Sequence, residues 1–180
     1  MSGSAEIPLV PGRSCGSCTL CCKVMGIEEL NKPVGQWCEH CSPGTGWKIH
    51  ERKPNQCREF YCAYLLSPHL GEEWKPERSK MVLVIDEDGM RMVAYVDTQR
   101  LSAWKSEPYY SQLKQWSKNA LTKGGQVIAN VNRRVYLIMP NEDIDLGVLE
   151  EDDVVQIAGE RDVAGTSFIA RNISKAGRQT

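Results

Sequence analysis

Cys15-Gly16-Ser17-Cys18-Thr19-Leu20-Cys21-Cys22 holds four of the eight cysteines of the chain. The other four follow as Cys38-Glu39-His40-Cys41 and Cys57-Arg58-Glu59-Phe60-Tyr61-Cys62. No cysteine occurs after residue 62, so the first third of the chain has a chemistry that the rest lacks. The apolar residues of this segment follow no sustained period, and glycines and prolines interrupt it throughout. Such a segment buries too little apolar surface to order itself easily, and a bound metal would supply the missing stabilisation.

The composition is that of an ordinary globular protein of 180 residues, with 41% hydrophobic and 25% charged residues. This length suffices for one domain with a substantial core or for two small domains. The net charge of −1 gives no electrostatic reason to expect binding to nucleic acid or to an anionic membrane. No apolar run approaches the roughly 20 residues that a membrane-spanning helix needs, and the first residues lack the features of a secretory signal. We therefore expect a cytoplasmic protein.

Cysteine pairs separated by two residues are typical metal ligands. In Cys15/Cys18 and Cys38/Cys41 the two intervening residues let the backbone turn so that both sulfurs face one point, which suits tetrahedral Zn²⁺ or an iron of an iron–sulfur cluster. Disulfides are the alternative for an even number of cysteines, but they are rare in the reducing cytosol. We predict metal binding by the whole set, which comprises Cys15, Cys18, Cys21, Cys22, Cys38, Cys41, Cys57 and Cys62.

The arrangement of this ligand set stays open at the level of sequence. Eight thiolates suffice for two four-coordinate sites, or for one multinuclear site with some residues left out. Cys21 and Cys22 are adjacent, so they could serve one metal or two, or one of them could be a small buried apolar side chain. His50 is the best replacement if a cysteine drops out of the set. His40 is expected at the surface or behind the ligands, and His69 is expected to be solvated.

Charged and aromatic side chains accompany the cysteines. A four-thiolate Zn²⁺ site carries net negative charge, so cations close to it lower its cost. Arg52, Lys53 and Arg58 either supply such cations or are ordinary solvated side chains. Trp37 and Trp47 flank the second cysteine pair, and we expect both to pack over the metal site.

The cysteine segment resembles the YkgJ-like CxxCxxCC family, which is described as zinc- or iron-chelating. The resemblance lies in Cys15-x-x-Cys18-x-x-Cys21-Cys22 and in the later block from Trp47 to Phe60, which ends in Cys57-Arg58-Glu59-Phe60. Trp47 stands where the family has a cysteine, and His50 stands where it has tyrosine. The resemblance covers residues 15–62 and implies metal binding. One relative resembles flagellin lysine methylases, which implies a role as accessory to a modifying enzyme, but residues 76–180 show no matching methylase body.

The rest of the chain predicts an α+β fold. Strands are expected at Met81–Ile85 and at residues 90–96, joined by a turn at Asp86–Gly89, and again at Gln126–Val131 and 135–139. A helix between the two pairs is expected to begin at Ser106 as N-cap and to end at Gly124-Gly125. Its apolar face consists of Tyr109, Leu113, Trp116 and Ala120. This β-β-α-β-β pattern predicts one helix packed on a small antiparallel sheet.

The expected organisation has four parts. Residues 1–14 form a flexible arm, 15–75 a loop-rich cysteine module with its connector, 76–160 the α+β unit, and 161–180 a flexible tail. Two short helices are expected in the module, from Cys21 to about residue 30 and from Pro54 to about residue 66. Residues 141–162 hold nine acidic residues and one basic residue, and we expect an acidic surface with one short strand at 154–158.

The function predicted from sequence is therefore chelation of one or two Zn²⁺ ions by cysteine thiolates, in a structural or chelating role. The alternatives are an iron–sulfur protein in redox or electron-transfer work, and an accessory of a modifying enzyme. The chain contains no G-x-S-x-G, P-loop or G-x-G-x-x-G motif, which favours a non-enzymatic role. The expected partner is a metal ion; whether a protein also binds stays open, and the sequence identifies none.

Overall fold

The computed structural model describes residues 9–47, 54–86, 88–148, 154–162 and 165–173. Of Trp47 and of the residues after 153, only the backbone is described. None of the helices within these ranges is long and apolar enough to cross a membrane.

The cysteine segment contains only short elements. In chain order they are α1 (Cys21–Val24), a 3₁₀ turn (Glu28–Leu30), β1 (Cys41–Ser42), β2 (Gly46–Trp47), α2 (Asn55–Glu59) and α3 (Ala63–Leu66). The two expected helices are therefore each divided in two. Between α2 and α3 the backbone is extended at Phe60 and Cys62, which interrupts the helical hydrogen bonding.

A mixed five-stranded sheet dominates the remainder. A 3₁₀ turn (Glu72–Trp74) and α4 (Pro76–Ser79) lead into β3 (Met81–Ile85) and β4 (Arg91–Val96), then a 3₁₀ turn (Ala103–Lys105) and α5 (Tyr109–Leu121), followed by β5 (Gln126–Val131), β6 (Arg134–Ile138) and β7 (Asp143–Val148). The strand order is β3-β4-β5-β6-β7. The predicted α+β class, both predicted hairpins and the single long helix are confirmed.

Two features of this sheet differ from the expectation. First, β4 and β5 are parallel, with Val93 opposite Ile128. The connection through α5 returns the chain to the end of the sheet at which β4 begins, so β5 runs in the same direction as β4. Second, β7 adds an antiparallel edge strand, with Ile144 opposite Leu137, in the stretch expected to be only an acidic surface.

The helix α5 begins later than its sequence predicts. Its first residue is Tyr109, it follows Pro108, and no side chain caps its N-terminus, so Ser106 is not the N-cap. The predicted apolar face is present: Leu113 is fully buried, while Tyr109 and Trp116 are half-buried against the same core. At the other end, Gly125 donates its N–H to the carbonyl of Ala120. A Cβ at Gly125 would lie 2.6 Å from the carbonyl oxygen of Met90, so this position requires glycine.

One hydrophobic core joins the cysteine segment to the sheet. Leu20 and Val24 of α1 and Tyr64 and Leu65 of α3 belong to the same buried cluster as the strands. The strand and helix members of that cluster include Met81, Leu83, Ala94, Val96, Leu113, Val127, Ala129 and Ile138. The core therefore crosses the boundary expected between residues 75 and 76.

Parts of the expected arm and of the expected tail have defined contacts or strand structure. Residues 1–8 and 174–180 lie outside the described residues, but Val10 donates to the carbonyl of Leu65, and the Arg13 guanidinium binds carbonyls of the α3 region. After β7, the strands β8 (Val154–Asp162) and β9 (Gly165–Ile173) form an antiparallel hairpin. The boundary expected at 160/161 falls within β8, so an extended strand pair occupies much of the expected tail.

Candidate metal centre

Both CxxC sequences form the tight turns that their spacing predicts. In the first, Cys18 donates its N–H to the carbonyl of Cys15 at 2.8 Å, and Gly16 adopts a φ of +53°. In the second, Cys41 donates to the carbonyl of Cys38 at 3.0 Å. Each turn brings its pair of cysteines to one side of the local backbone, as a metal-binding knuckle requires.

Six of the eight cysteines line one cavity of about 470 Å³. They come from the first turn and α1, from α2, and from the residue that precedes α3, and they are Cys15, Cys18, Cys21, Cys22, Cys57 and Cys62. The fold thus brings the first and third cysteine groups of the sequence together. Much of the remaining wall is apolar and includes Met25, Phe60 and Leu65.

The other two cysteines form a buried cluster with Cys22. The exposed fractions of Cys22, Cys38 and Cys41 are 7%, 3% and 5%, and Cys21 and Leu30 pack against them. The N–H of Cys38 donates to the carbonyl of Cys22 at 3.0 Å, which fixes the second turn beside α1. Because Cys22 also lines the cavity, the eight cysteines form one connected group with Cys21 and Cys22 at its centre.

The cysteines differ strongly in exposure. Cys15 is exposed, Cys18, Cys21 and Cys57 are half-buried, and the other four are buried. The group therefore has an open side at the first turn and a closed side at Cys38 and Cys41.

Burial keeps several of these thiols protonated. It raises the pKa of Cys18 to about 11, against a weaker lowering effect of the Leu20 N–H. Burial also raises the pKa of Cys62. The pKa of Cys21 is raised first by its hydrogen bond with Cys22 and then by burial. At neutral pH these groups are thiols, and a metal would bind by replacing their protons.

Among the side chains that the structure describes, no group of three or more Cys, His, Asp or Glu is arranged to hold a metal ion. The donor set nevertheless fits such an ion in its chemistry, because thiols of the first and third cysteine groups line a common cavity.

Two of the three histidines lie within the described residues, and the positions of both agree with the expectation from sequence. His40 lies 3.3 Å from the carboxylate of its neighbour Glu39, and His69 is exposed. His50 falls outside the described residues, as do Arg52 and Lys53. Trp37 is 40% exposed, and its ring lies 5.7 Å from the Lys23 ammonium. The Trp47 side chain falls outside the described residues.

Two buried lysines are the functional candidates that sequence reasoning missed. Lys32 is 9% exposed, and its ammonium donates to the carbonyls of Lys23, Met25 and Pro33. Burial lowers the pKa of Lys32, while cysteine thiolates at 38, 22, 21 and 57 would raise it. The Lys32 ammonium thus lies within electrostatic range of four cysteines. The only sequence signal was the position of Lys23 and Lys32 close to Cys22.

The comparisons with known proteins give no further assignment: no family model, no curated protein and no solved structure matches this chain. The likeness to the CxxCxxCC family rests on the quoted motifs.

Proposed function

We propose that this is a metal-binding protein whose cysteine thiolates hold one or two Zn²⁺ ions in a structural or chelating role. The observation that supports the proposal is the convergence of six cysteines from the first and third cysteine groups on one cavity, with the two cysteines of the second group packed on Cys22. Protonated buried thiols without a metal would contribute little to this segment, whereas thiolate–zinc bonds stabilise small cysteine-rich modules strongly.

The neighbour relations divide the cysteines into two sets. Cys15, Cys18 and Cys62 line the same cavity and lie close enough for the charge of one thiolate to raise the pKa of another. Cys22, Cys38 and Cys41 are buried together on the closed side. If Cys21 and Cys57 join one set each, both sets contain four thiolates. A closed four-thiolate site has no open coordination position, so Zn²⁺ bound there would stabilise the segment and would not activate a substrate.

An iron–sulfur cluster is the second candidate. The cavity volume of about 470 Å³ favours it, because a cluster is much larger than a zinc ion. The apolar residues in the wall also favour it, because the reduction potential of a cluster depends on its exposure to water. When bound, it would supply one-electron chemistry, and the buried side of the wall would restrict access of water. Either metal requires reduced thiols, so the proposal includes a reducing compartment such as the cytoplasm.

The metal is identified by anaerobic purification followed by elemental analysis and a visible absorption spectrum. Stoichiometric zinc in a colourless protein supports the first candidate. Iron with acid-labile sulfide, together with absorption in the visible range, supports the iron–sulfur cluster and excludes the zinc site. A protein that contains no metal and takes up neither Zn²⁺ nor a cluster under reducing conditions would contradict the proposal altogether.

The number of sites is tested by removing one thiol from each set. Two independent zinc sites predict that Cys18→Ser loses one zinc and that Cys38→Ser loses the other, since each set then lacks a ligand. A single multinuclear centre predicts that either variant loses all bound metal. Ser42→Ala, beside Cys41 but without a thiol, is the control and should keep full zinc content. Unchanged metal content in both cysteine variants would exclude these ligand sets.

A further inference from the structure

A second cavity, of about 790 Å³, lies between the main sheet and the loop formed by residues 25–34. Its floor is the sheet face that carries Val93 and Tyr95 of β4 and Ile128 and Asn130 of β5. The register places Val93 opposite Ile128 and Tyr95 opposite Asn130. Strand alternation puts these residues on the face away from Ala94 and Ala129, which share a core cluster with Leu113 of α5.

The floor of this cavity is apolar in the middle and polar toward one end. Val93, Ile128 and Val135 provide the apolar part, and they belong to one small hydrophobic cluster. Tyr95 and Asn130 provide the polar part, and the Asn130 Oδ1 accepts a hydrogen bond of 3.0 Å from the N–H of Arg133. This combination of an apolar surface with a few fixed polar groups is typical of a small-molecule site.

The charges around the cavity are mainly positive. Three cationic residues line it, Lys32, Arg91 and Arg133, and Glu28 is the one carboxylate among the described lining residues. The guanidinium of Arg91 lies 3.8 Å from Asp86, but both side chains are at least 40% exposed, and such a pair neutralises little charge. The buried Lys32 ammonium binds three carbonyl groups, and none of the described carboxylates pairs with it.

The two arginines lie at opposite ends of the floor. Arg91 begins β4, and Tyr95 lies four residues further along the same strand, or about 13 Å at the usual strand rise. Arg133 follows the end of β5, next to Asn130 and hence near Tyr95. An occupant with an apolar body can thus lie on Val93 and Ile128 while its acidic group reaches a guanidinium at either end.

We propose that this cavity binds a small organic anion, a carboxylate carried on an apolar body. The volume lies within the usual range of small-molecule sites, the three cations select negative charge, and the valine and isoleucine floor selects an apolar body over a bare inorganic ion. The apolar floor and the two arginines do not involve the metal proposed above, whereas Lys32 lies within electrostatic range of the cysteines as well. The site adjoins that metal centre, because Met25, Gly26, Ile27 and Gln56 line both cavities.

The test is an NMR titration of the full chain with octanoate as the probe, in parallel with 1-octanol and inorganic phosphate. Octanoate should shift the amide signals of Val93, Tyr95, Ile128 and Asn130, and it should bind at least about fivefold more tightly than either comparison compound. If octanol bound as tightly as octanoate, the negative charge would not contribute to binding. If phosphate bound as tightly as octanoate, the apolar floor would not contribute. Either result overturns the proposal, as do shifts confined to other parts of the chain.

Arginine variants test the charge directly. Arg91→Gln and Arg133→Gln should each weaken octanoate binding about five- to tenfold, if both guanidinium groups contribute to the field at the site. Arg91→Lys retains the charge and should stay within about threefold of the parent. Arg100→Gln, which removes an exposed arginine outside the cavity, should leave the affinity unchanged. The altered arginines are exposed, so the parent amide spectrum should be retained; unchanged affinity in both Gln variants would refute the site.

Discussion

The sheet β3–β7 and the cysteine segment, residues 15–66, are stabilised by different kinds of contact. In the sheet region, long strands satisfy one another's backbone groups, and side chains such as Leu113, Ala129 and Ile138 are completely buried. In the cysteine segment, no described helix exceeds five residues and each strand has two. Its buried side chains include four thiols, Cys22, Cys38, Cys41 and Cys62, and the charged lysines at 23 and 32.

This difference shows where each region obtains its stability. Burial of a large apolar side chain contributes about 1.5–3 kcal/mol to the free energy of unfolding. The sheet and α5 therefore obtain their stability from their own apolar core. A thiol contributes less, and a buried ammonium costs free energy until it is paired. The cysteine segment therefore depends on contacts outside itself: the core that it shares with the sheet, the ion pair of Lys23 with Asp97, and the proposed metal.

The largest effect is expected from Trp74, which belongs to the hydrophobic core that the two regions share. It is 1% exposed, its ring lies 5.0 Å from Tyr109 and 4.8 Å from Trp116, and its Nε1 donates to Gln112 at 2.6 Å. Trp74→Ala should lower the free energy of unfolding by about 4 kcal/mol. Hydrogen exchange should show the loss in both regions, because the core is common.

Trp37→Ala is the matched control for this change, since Trp37 is 40% exposed. It should cost less than about 1 kcal/mol, mostly from its contact with the Lys23 ammonium. If Trp74→Ala loosened the cysteine segment and left exchange in the sheet unchanged, the two regions would have separate cores.

The next effect concerns the buried ion pair that links α1 to the end of β4. The Lys23 ammonium contacts the Asp97 carboxylate, and the two side chains are 4% and 10% exposed. Lys23→Met leaves that carboxylate buried with the Gln99 N–H as a remaining donor, so we expect a loss of about 3 kcal/mol. Urea unfolding measures it. The double variant Lys23→Met/Asp97→Asn should cost clearly less than the sum of the single changes; strict additivity would show that the pair is not coupled.

Sequence patterns predicted the sheet region well because its signals are local. The strands Met81–Ile85 and Arg91–Val96 are rich in valine and separated by a turn that contains Gly89, and the helical spacing of Tyr109, Leu113 and Trp116 marks one face. Both CxxC turns followed from spacing in the same way. These features depend on residues within a few positions of one another, so no knowledge of the tertiary structure was needed.

The features that sequence missed are decided by distant partners. The acidic residues of β7 looked unsuited to a strand, but Asp143 accepts from Tyr110 and Lys114, and Asp145 pairs with Arg134. Lys23 is buried because of Asp97, which is 74 positions away. The convergence of the first and third cysteine groups likewise depends on the packing of α1 and α3 on β3. Local propensity contains no information about such partners.

A smaller and more local effect on stability is expected from Arg13, which lies next to the first cysteine turn and binds the α3 region. Its guanidinium donates to the carbonyls of Tyr64 at 2.6 Å and Ser67 at 2.8 Å, and also to that of Leu70. It lies 4.4 Å from the centre of the Tyr64 ring. Arg13→Gln should cost about 2 kcal/mol and should speed alkylation of Cys15 and Cys18 by iodoacetamide, because the turn loses its anchor. The rate at Cys38, which is buried elsewhere, is the internal control. Equal acceleration at all three cysteines would indicate general destabilisation and would contradict a local role.

The smallest effect is a dependence on pH confined to the sheet region. Tyr110 donates to Asp143 Oδ2 at 2.8 Å and so joins α5 to β7. Burial, and then the hydrogen bond to this carboxylate, raise the pKa of Tyr110 from 10.0 to about 12. Between these values the unfolded chain loses the phenolic proton while the folded chain keeps it. The contribution to stability is therefore complete below pH 10 and decreases as the pH rises toward 12.

The difference in unfolding free energy between the parent and Tyr110→Phe should be constant up to about pH 10 and should then fall. Lysines and thiols titrate over the same range in both proteins and cancel in this difference. Parallel curves up to pH 12 would show that Tyr110 ionises equally in both states, and that the α5–β7 contact does not depend on its proton.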